Sequence, residues 1–262
     1  MTTVAVFGLG EAGSLIAADL AAAGVPVTGY DPAPVPDPRG VMRFADPEGA
    51  VRDADVVLGI TAAADAVTAI EQALSAIPAT ALYADLSTAS ASLKQRLAGI
   101  ASGRGLAFAD VALMATVPGK GLRTPALVSG SGSERFASTF APPGMPVTDI
   151  GGNAGDAATR KLLRSVMMKG LAALVIEAMR AGHAAGCADW LWSNLAGEIT
   201  AADEALLARL VLGSGPHAVR RLHEMEASVA LLEELGIDPV MTRSTVESLR
   251  RIPAQGLPVI PQ

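Results

Sequence analysis

Over the first 150 residues, short apolar runs alternate with alanine-rich amphipathic stretches. Near-continuous apolar segments at 3–8, 25–30, 55–60, 81–85 and 107–113 predict strands buried on both faces, and 125–129 and 146–150 add two more. Helical periodicity at 12–23, 65–76 and 90–101 falls between them, so the pattern reads as βαβ units feeding a parallel sheet. After Gly151-Gly152 the strand signals stop. Leu162, Leu163, Val166, Met167, Leu171, Leu174 and Val175 recur at helical spacing, predicting a long helix over 156–180. Breakers at Gly186, 213–216 and 236–239 divide the rest into three or four further helices. Residues 253–262 read as an extended tail. The expectation is therefore an α/β domain over 1–152 followed by an all-α domain over 153–262.

Composition narrows what such a chain can bind. With 262 residues, 50% hydrophobic and 18% charged, it has material for a sizeable core. Aromatics make up 3%, too few for base-stacking platforms, and the net charge of −6 has the wrong sign for a phosphate-backbone binder. Nucleic acid is excluded as an expected partner. Mean hydropathy is high at +0.39, yet charges interrupt every stretch before it reaches membrane-spanning length. No basic region precedes the apolar start, so no signal peptide is read there. The single Cys187 forms no disulfide framework, and His183, His217 and His223 lack metal-ligand spacing. The expected protein is soluble, cytoplasmic and metal-free.

Gly8-Leu9-Gly10-Glu11-Ala12-Gly13 follows an apolar strand and opens a helix. Gly8 allows the tight turn, Gly10 lets backbone approach a pyrophosphate, and Gly13 permits close helix–strand packing. The helix start supplies N–H groups and a positive dipole end for the anion. Asp31 closes the next strand, where a carboxylate accepts from both ribose hydroxyls and repels a 2′-phosphate. The motif therefore predicts NAD, with NADP the alternative if Arg39 or Arg43 folds back onto a phosphate.

These residues and three later segments give a chain that resembles the β-hydroxyacid dehydrogenase family, the 3-hydroxyisobutyrate and 6-phosphogluconate dehydrogenase-like enzymes. Asp85-Leu86-Ser87-Thr88 is similar to the family's D-x-S-T beside nicotinamide and substrate. The run Gly155 to Ser165 resembles its G-x-G-x-x-x-K-x-x-N-N and places Lys161 at the catalytic lysine. His223-Glu224-Met225, with Glu234-Leu235-Gly236-Ile237-Asp238-Pro239 beyond it, is similar to the family's C-terminal segment that opens K-D-L and ends in Pro. The resemblance implies a Rossmann domain, a helical domain that forms homodimers, and an active site between them. It also places Thr61 and His223 at the cofactor.

The chain departs from the family where substrate binds. Met114-Ala115-Thr116 stands in place of S-G-G, Arg164 and Ser165 in place of two asparagines, and His223 in place of a lysine. The implied activity is hydride transfer between a small anionic hydroxy acid and its carbonyl. Lys161 would be general acid/base, with Ser87, Thr88, Met114, Arg164 and Ser165 facing the substrate. Ser87 or Thr88 would also serve as a helix cap. Arg220 pairs with Glu224 or Glu226, or else meets an anion. The alternatives are an imine reductase of the same architecture and a catalytically silent NAD(P)-binding redox sensor.

Overall fold

The structure is a computed structural model that describes residues 2–261. It divides into two compact units, one ending at Arg164 and the other beginning at Ser165. The division falls inside a helix, beyond the glycine pair where the sequence pattern changes.

The first unit is built on one eight-stranded sheet. Its strands are β1 (Val4–Phe7), β2 (Val27–Tyr30), β3 (Met42–Arg43), β4 (Val56–Gly59), β5 (Leu82–Asp85), β6 (Ala107–Leu113), β7 (Ala126–Ser129) and β8 (Val147–Asp149). They lie in the order β3-β2-β1-β4-β5-β6-β7-β8. The central strands are buried on both faces, as their unbroken apolar runs require. α1 (Glu11–Ala22) and α5 (Ser133–Phe140) cover one face, where Ile16, Leu20, Phe136 and Phe140 pack against Val6, Leu58 and Val111. α2 (Pro47–Val51), α3 (Ala66–Ala73) and α4 (Ala91–Ser102) bring Val51, Ile70 and Leu97 to Val57, Tyr83 and Phe108 on the other face.

The expected parallel sheet is corrected at one pair, since β7 runs antiparallel to β6. A parallel return needs a crossover, usually helical. The connection here holds only the 3₁₀ turn Gly121–Arg123. β1 has β2 on one side and β4 on the other, so the chain reverses its direction of travel across the sheet there. Ligands of such sheets bind outside the strands' carboxyl ends at that point.

α6 (Asp156–Ala184) starts in the first unit and continues into the second. There follow α7 (Ala188–Thr200), α8 (Glu204–Leu212), α9 (Ala218–Glu234) and α10 (Val240–Gln255). The break between α7 and α8 contains no glycine; Asp203 makes it by accepting from the Leu206 N–H. The tail is also corrected: α10 runs through Pro253 to Gln255 and stops at Gly256, whose φ of 71° suits glycine. Among the described residues no helix is long and apolar enough to cross a membrane.

Candidate functional site

At the end of β1, Gly8 has φ +89°, and a Cβ there would land on the Ile60 carbonyl at the end of β4. A Cβ on Gly13 would strike the Gly8 carbonyl, so α1 packs onto the turn only because this residue is glycine. Gly10 differs, because nothing lies within 4 Å of a Cβ built on it. It caps α1 without a side chain, leaving the helix start open to an anion. Glu11 is exposed in the first turn, while Ala12 packs against the core. The Leu9 side chain is core as well, so this residue offers its backbone alone.

The Leu9 N–H donates to Asp31 Oδ2 at 2.7 Å, and the Ala33 N–H donates to Oδ1 at 2.8 Å. These bonds aim the carboxylate and leave each oxygen a further lone pair. Thr61 Oγ1 is buried with no hydrogen-bond partner among the described residues. Gly8, Gly10, Tyr30, Asp31 and Thr61 share a cavity of about 320 Å³. Open space at Gly10, an aimed carboxylate and an unsatisfied hydroxyl are what a dinucleotide needs, so the residues present fit NAD. Arg43 does not reach into this cavity. It donates to the carbonyls of Asp31, Ala33 and Val35 and to the Asp37 carboxylate, tying the loop after β2 together. Arg39 is exposed.

Beyond β5, Lys161 of α6 donates from Nζ to Thr88 Oγ1 at 2.8 Å. One turn on, Arg164 donates to the Met114 carbonyl at 3.1 Å, and Met114 is half-buried just past β6. The two motifs thus meet: the strand ends carrying Thr88 and Met114 face the helix carrying Lys161 and Arg164. Ser87 is buried beneath them and donates its proton to Asp85 Oδ1 at 2.5 Å. Neither Ser87 nor Thr88 caps α4, a correction to the sequence expectation. Ser90 does so, accepting from the Leu93 N–H at 3.2 Å.

Lys94 was not legible as part of the site. It is fully buried, with Nζ 2.8 Å from the Asp85 carbonyl, 2.5 Å from Asp85 Oδ1 and 3.3 Å from Asp110 Oδ1. The last contact is an ion pair without hydrogen-bond alignment. Asp85 and Asp110 are register partners on β5 and β6, and Asp110 and Ser129 are partners on β6 and β7. The two buried carboxyl groups lie side by side, and Lys94 sets its ammonium against both. One signal was available: Lys94 lies on the same α4 stripe as Leu97 and Ala101, where a core residue belongs. Next to Asp85, burial pushes the Tyr83 phenol far up from its ordinary value, and the Asp85 charge adds to the shift, so Tyr83 stays neutral.

The remaining predicted site residues lie in the second unit. Ser165 is its first residue and is half-buried; His223 is exposed on α9. Arg220 forms an exposed pair with Glu224 at 2.5 Å. Among the described residues, no three His, Cys, Asp or Glu side chains gather to hold a metal.

With this geometry in hand, comparison with known proteins is direct. Residues 3–139 match the family described as the NAD binding domain of 6-phosphogluconate dehydrogenase, and residues 182–252 match a domain of unknown function, DUF1932. A probable 3-hydroxyisobutyrate dehydrogenase of Mycobacterium bovis is 32% identical over 135 residues, covering 50% of this chain and 46% of the relative. The chain thus spans about half the length of the curated relatives it matches. A conserved hypothetical protein of Sinorhizobium meliloti, of known structure, is 28% identical with a TM-score of 0.63, covering 99% of this chain and 92% of its own. The imine reductase of Myxococcus stipitatus in complex with NADP+ superimposes with a TM-score of 0.80 at 18% identity, covering 97% and 95%. This last likeness is one of fold. The matched domain carries the glycine turn, Asp31 and the Thr88 strand end, and it spans more than half of the sequence. The chain belongs to the family described as the NAD binding domain of 6-phosphogluconate dehydrogenase.

Proposed function

We propose that the protein interconverts a small anionic hydroxy acid and its carbonyl, with Lys161 as general acid/base. The observation that carries this reading is the 2.8 Å bond from Lys161 to Thr88 at the carboxyl edge of the sheet. That is the edge where the glycine turn and Asp31 receive a dinucleotide. Bound nicotinamide supplies or accepts a hydride there. As the hydride moves, charge develops on the substrate oxygen, and a proton must travel with it. The Lys161 ammonium delivers that proton, or the neutral amine takes it up, while Thr88 orients the nitrogen. Arg164 faces the substrate carboxylate, its planar fork suited to two parallel hydrogen bonds. Ser87 contributes lone pairs rather than a proton, since its hydroxyl is committed to Asp85. Met114 forms an apolar wall.

Reduction of an imine is the second reading. Met114-Ala115-Thr116 offers neither a glycine pair nor a fixed cation for a carboxylate, and imine reductases share the fold. Reduction of NAD+ and NADP+ over a panel of 3-hydroxy acids and phosphorylated sugar acids separates the two, with cyclic imines run in the opposite direction. The expected result is hydroxy-acid turnover that falls about 10²–10⁴-fold in Lys161→Ala with cofactor affinity retained. Imine turnover indifferent to Lys161→Ala would replace the first reading with the second.

The protein is proposed to act as a homodimer. α7 and α8 contain no buried side chain, and Trp190, Trp192, Leu207 and Leu210 are each at least half exposed. Helices hold together through apolar faces packed on something, and the family resemblance points to a second copy.

A further inference from the structure

Lys94 has its ammonium sealed inside the protein. Its side chain is 1% exposed, and those of the two carboxylates it touches are 0%. Two buried carboxyl groups share this one ammonium, and burying Asp110 Oδ2 is costly unless donors close on it. The start of α6 does so. The N–H groups of Gly155 and Ala158 donate to Asp110 Oδ2 at 2.9 and 3.0 Å, and that of Ala157 donates to Ser129 Oγ at 3.1 Å. These are the orphan donors of a helix N-terminus, which carries about half a positive charge. Gly155 has no side chain with which to cap them, so the sheet supplies the cap.

The connections close into a ring. Lys94 holds Asp85, and Asp85 accepts from Ser87 beside Thr88. On the other side Lys94 holds Asp110, and Asp110 seats the turn of α6 just before Lys161. Lys161 then donates to Thr88. We infer that Lys94 is a positioning residue: by binding Asp85 and Asp110 together it fixes the start of α6 against β5 and β6, and so sets Lys161 on Thr88. This rests on the reading of Lys161 as the general acid/base. A buried ion pair serving stability alone would behave differently, because it would have no particular tie to the reactivity of Lys161.

The test uses the full chain carrying Lys94→Met or Asp110→Asn and requires no substrate. Amide exchange is followed at 155–161. Acylation of Lys161 by an amine-reactive reagent is counted by peptide mass spectrometry against Lys120, which is exposed in the same unit. In Lys94→Met, the amides of Gly155, Ala157 and Ala158 are expected to exchange about tenfold faster or more. The Lys161-to-Lys120 labelling ratio should change about threefold or more, as for loss of one hydrogen bond, with the NADH dissociation constant unchanged. General loosening would raise both lysines together and leave the ratio alone. An unchanged ratio, or one that moves only as NADH binding is lost, overturns the inference. Asp110→Asn keeps an acceptor for the two amides and removes the charge, and a smaller change of ratio in the same direction is expected. If Lys94→Met does not fold, Asp110→Asn decides alone, and an unchanged ratio there is the overturning result. Neither readout involves turnover, so Lys161→Ala sparing activity would refute the general acid/base and leave this result intact.

Discussion

Asp31 has one charge spread over two oxygens, and both already accept a backbone N–H. What remains for a ligand is the second lone pair on each oxygen and the charge itself. The charge repels a 2′-phosphate, and Arg43 is held on loop carbonyls and the Asp37 carboxylate rather than on the Asp31 side chain. Asp31→Asn keeps most of the shape and removes the repulsion. The ratio of NADP+ to NAD+ affinity is expected to rise about tenfold, roughly 1.4 kcal/mol, as read by titration of each cofactor. A ratio that stays put would assign the preference elsewhere. At this scale the sequence was informative wherever a residue's role follows from backbone geometry. The separate tasks of Gly8, Gly10 and Gly13 could be read from spacing; a side chain at Gly8 would meet the Ile60 carbonyl and one at Gly13 the Gly8 carbonyl, while the space at Gly10 is open. Lys94 could not, because its partners come from strands whose register no local pattern states.

Two helices start on carboxylates borrowed from other elements. Asp110 does this for α6, and Glu177 of α6 does it for α10. Glu177 accepts from the N–H groups of Met241 and Thr242 at 2.8 and 2.9 Å and from the Thr242 hydroxyl at 2.6 Å. Burial works to raise its carboxyl, but the Thr242 hydroxyl, the two amides and the nearby Arg243 charge outweigh it and hold it below the ordinary value of 4.5. A group depressed in the folded state stabilises above its unfolded value and loses that contribution as pH falls through the folded one. Glu177→Gln should therefore cost about 1–2 kcal/mol at neutral pH, and the difference should close as pH drops below 4.5. Thermal melts across pH decide this, and a pH-independent gap would mean that the charge is not what caps α10. Element existence was legible where the apolar period was long, as in β1, β4, β5, β6 and α6. The two-residue β3 is too short to have a period. α2 does have a local start signal in Asp46-Pro47, where Asp46 accepts from the Gly49 N–H, yet its single turn was missed. β7 was expected at 125–129, but its antiparallel direction was not, because strand direction depends on what the connection can build.

Across the whole molecule, the sequence pattern separated a sheet-building half from a helical half, and the compact units meet inside α6. The units differ in how much they bury. The first has two continuous clusters flanking its sheet, whereas the second buries few side chains, among them Glu177, Ala218, Leu232, Thr242 and Val246. If a second copy covers α7 and α8, stability follows mass action. The melting temperature should rise with protein concentration, and Leu207→Glu with Leu210→Glu should give a monomer by sedimentation that melts lower. A concentration-independent melt of a monomeric wild type would remove the dimer.

The borrowed cap of α6 also bears on the order of folding. Its first N–H groups find acceptors 28, 45 and 48 residues earlier in the chain. No helix start can be stabilised this way until β6 and β7 are paired. During synthesis the chain emerges N-terminus first, so the sheet is available before the helix that needs it. The lysine at the centre of the proposed chemistry is then among the last groups of its unit to be set in place, on a platform already finished.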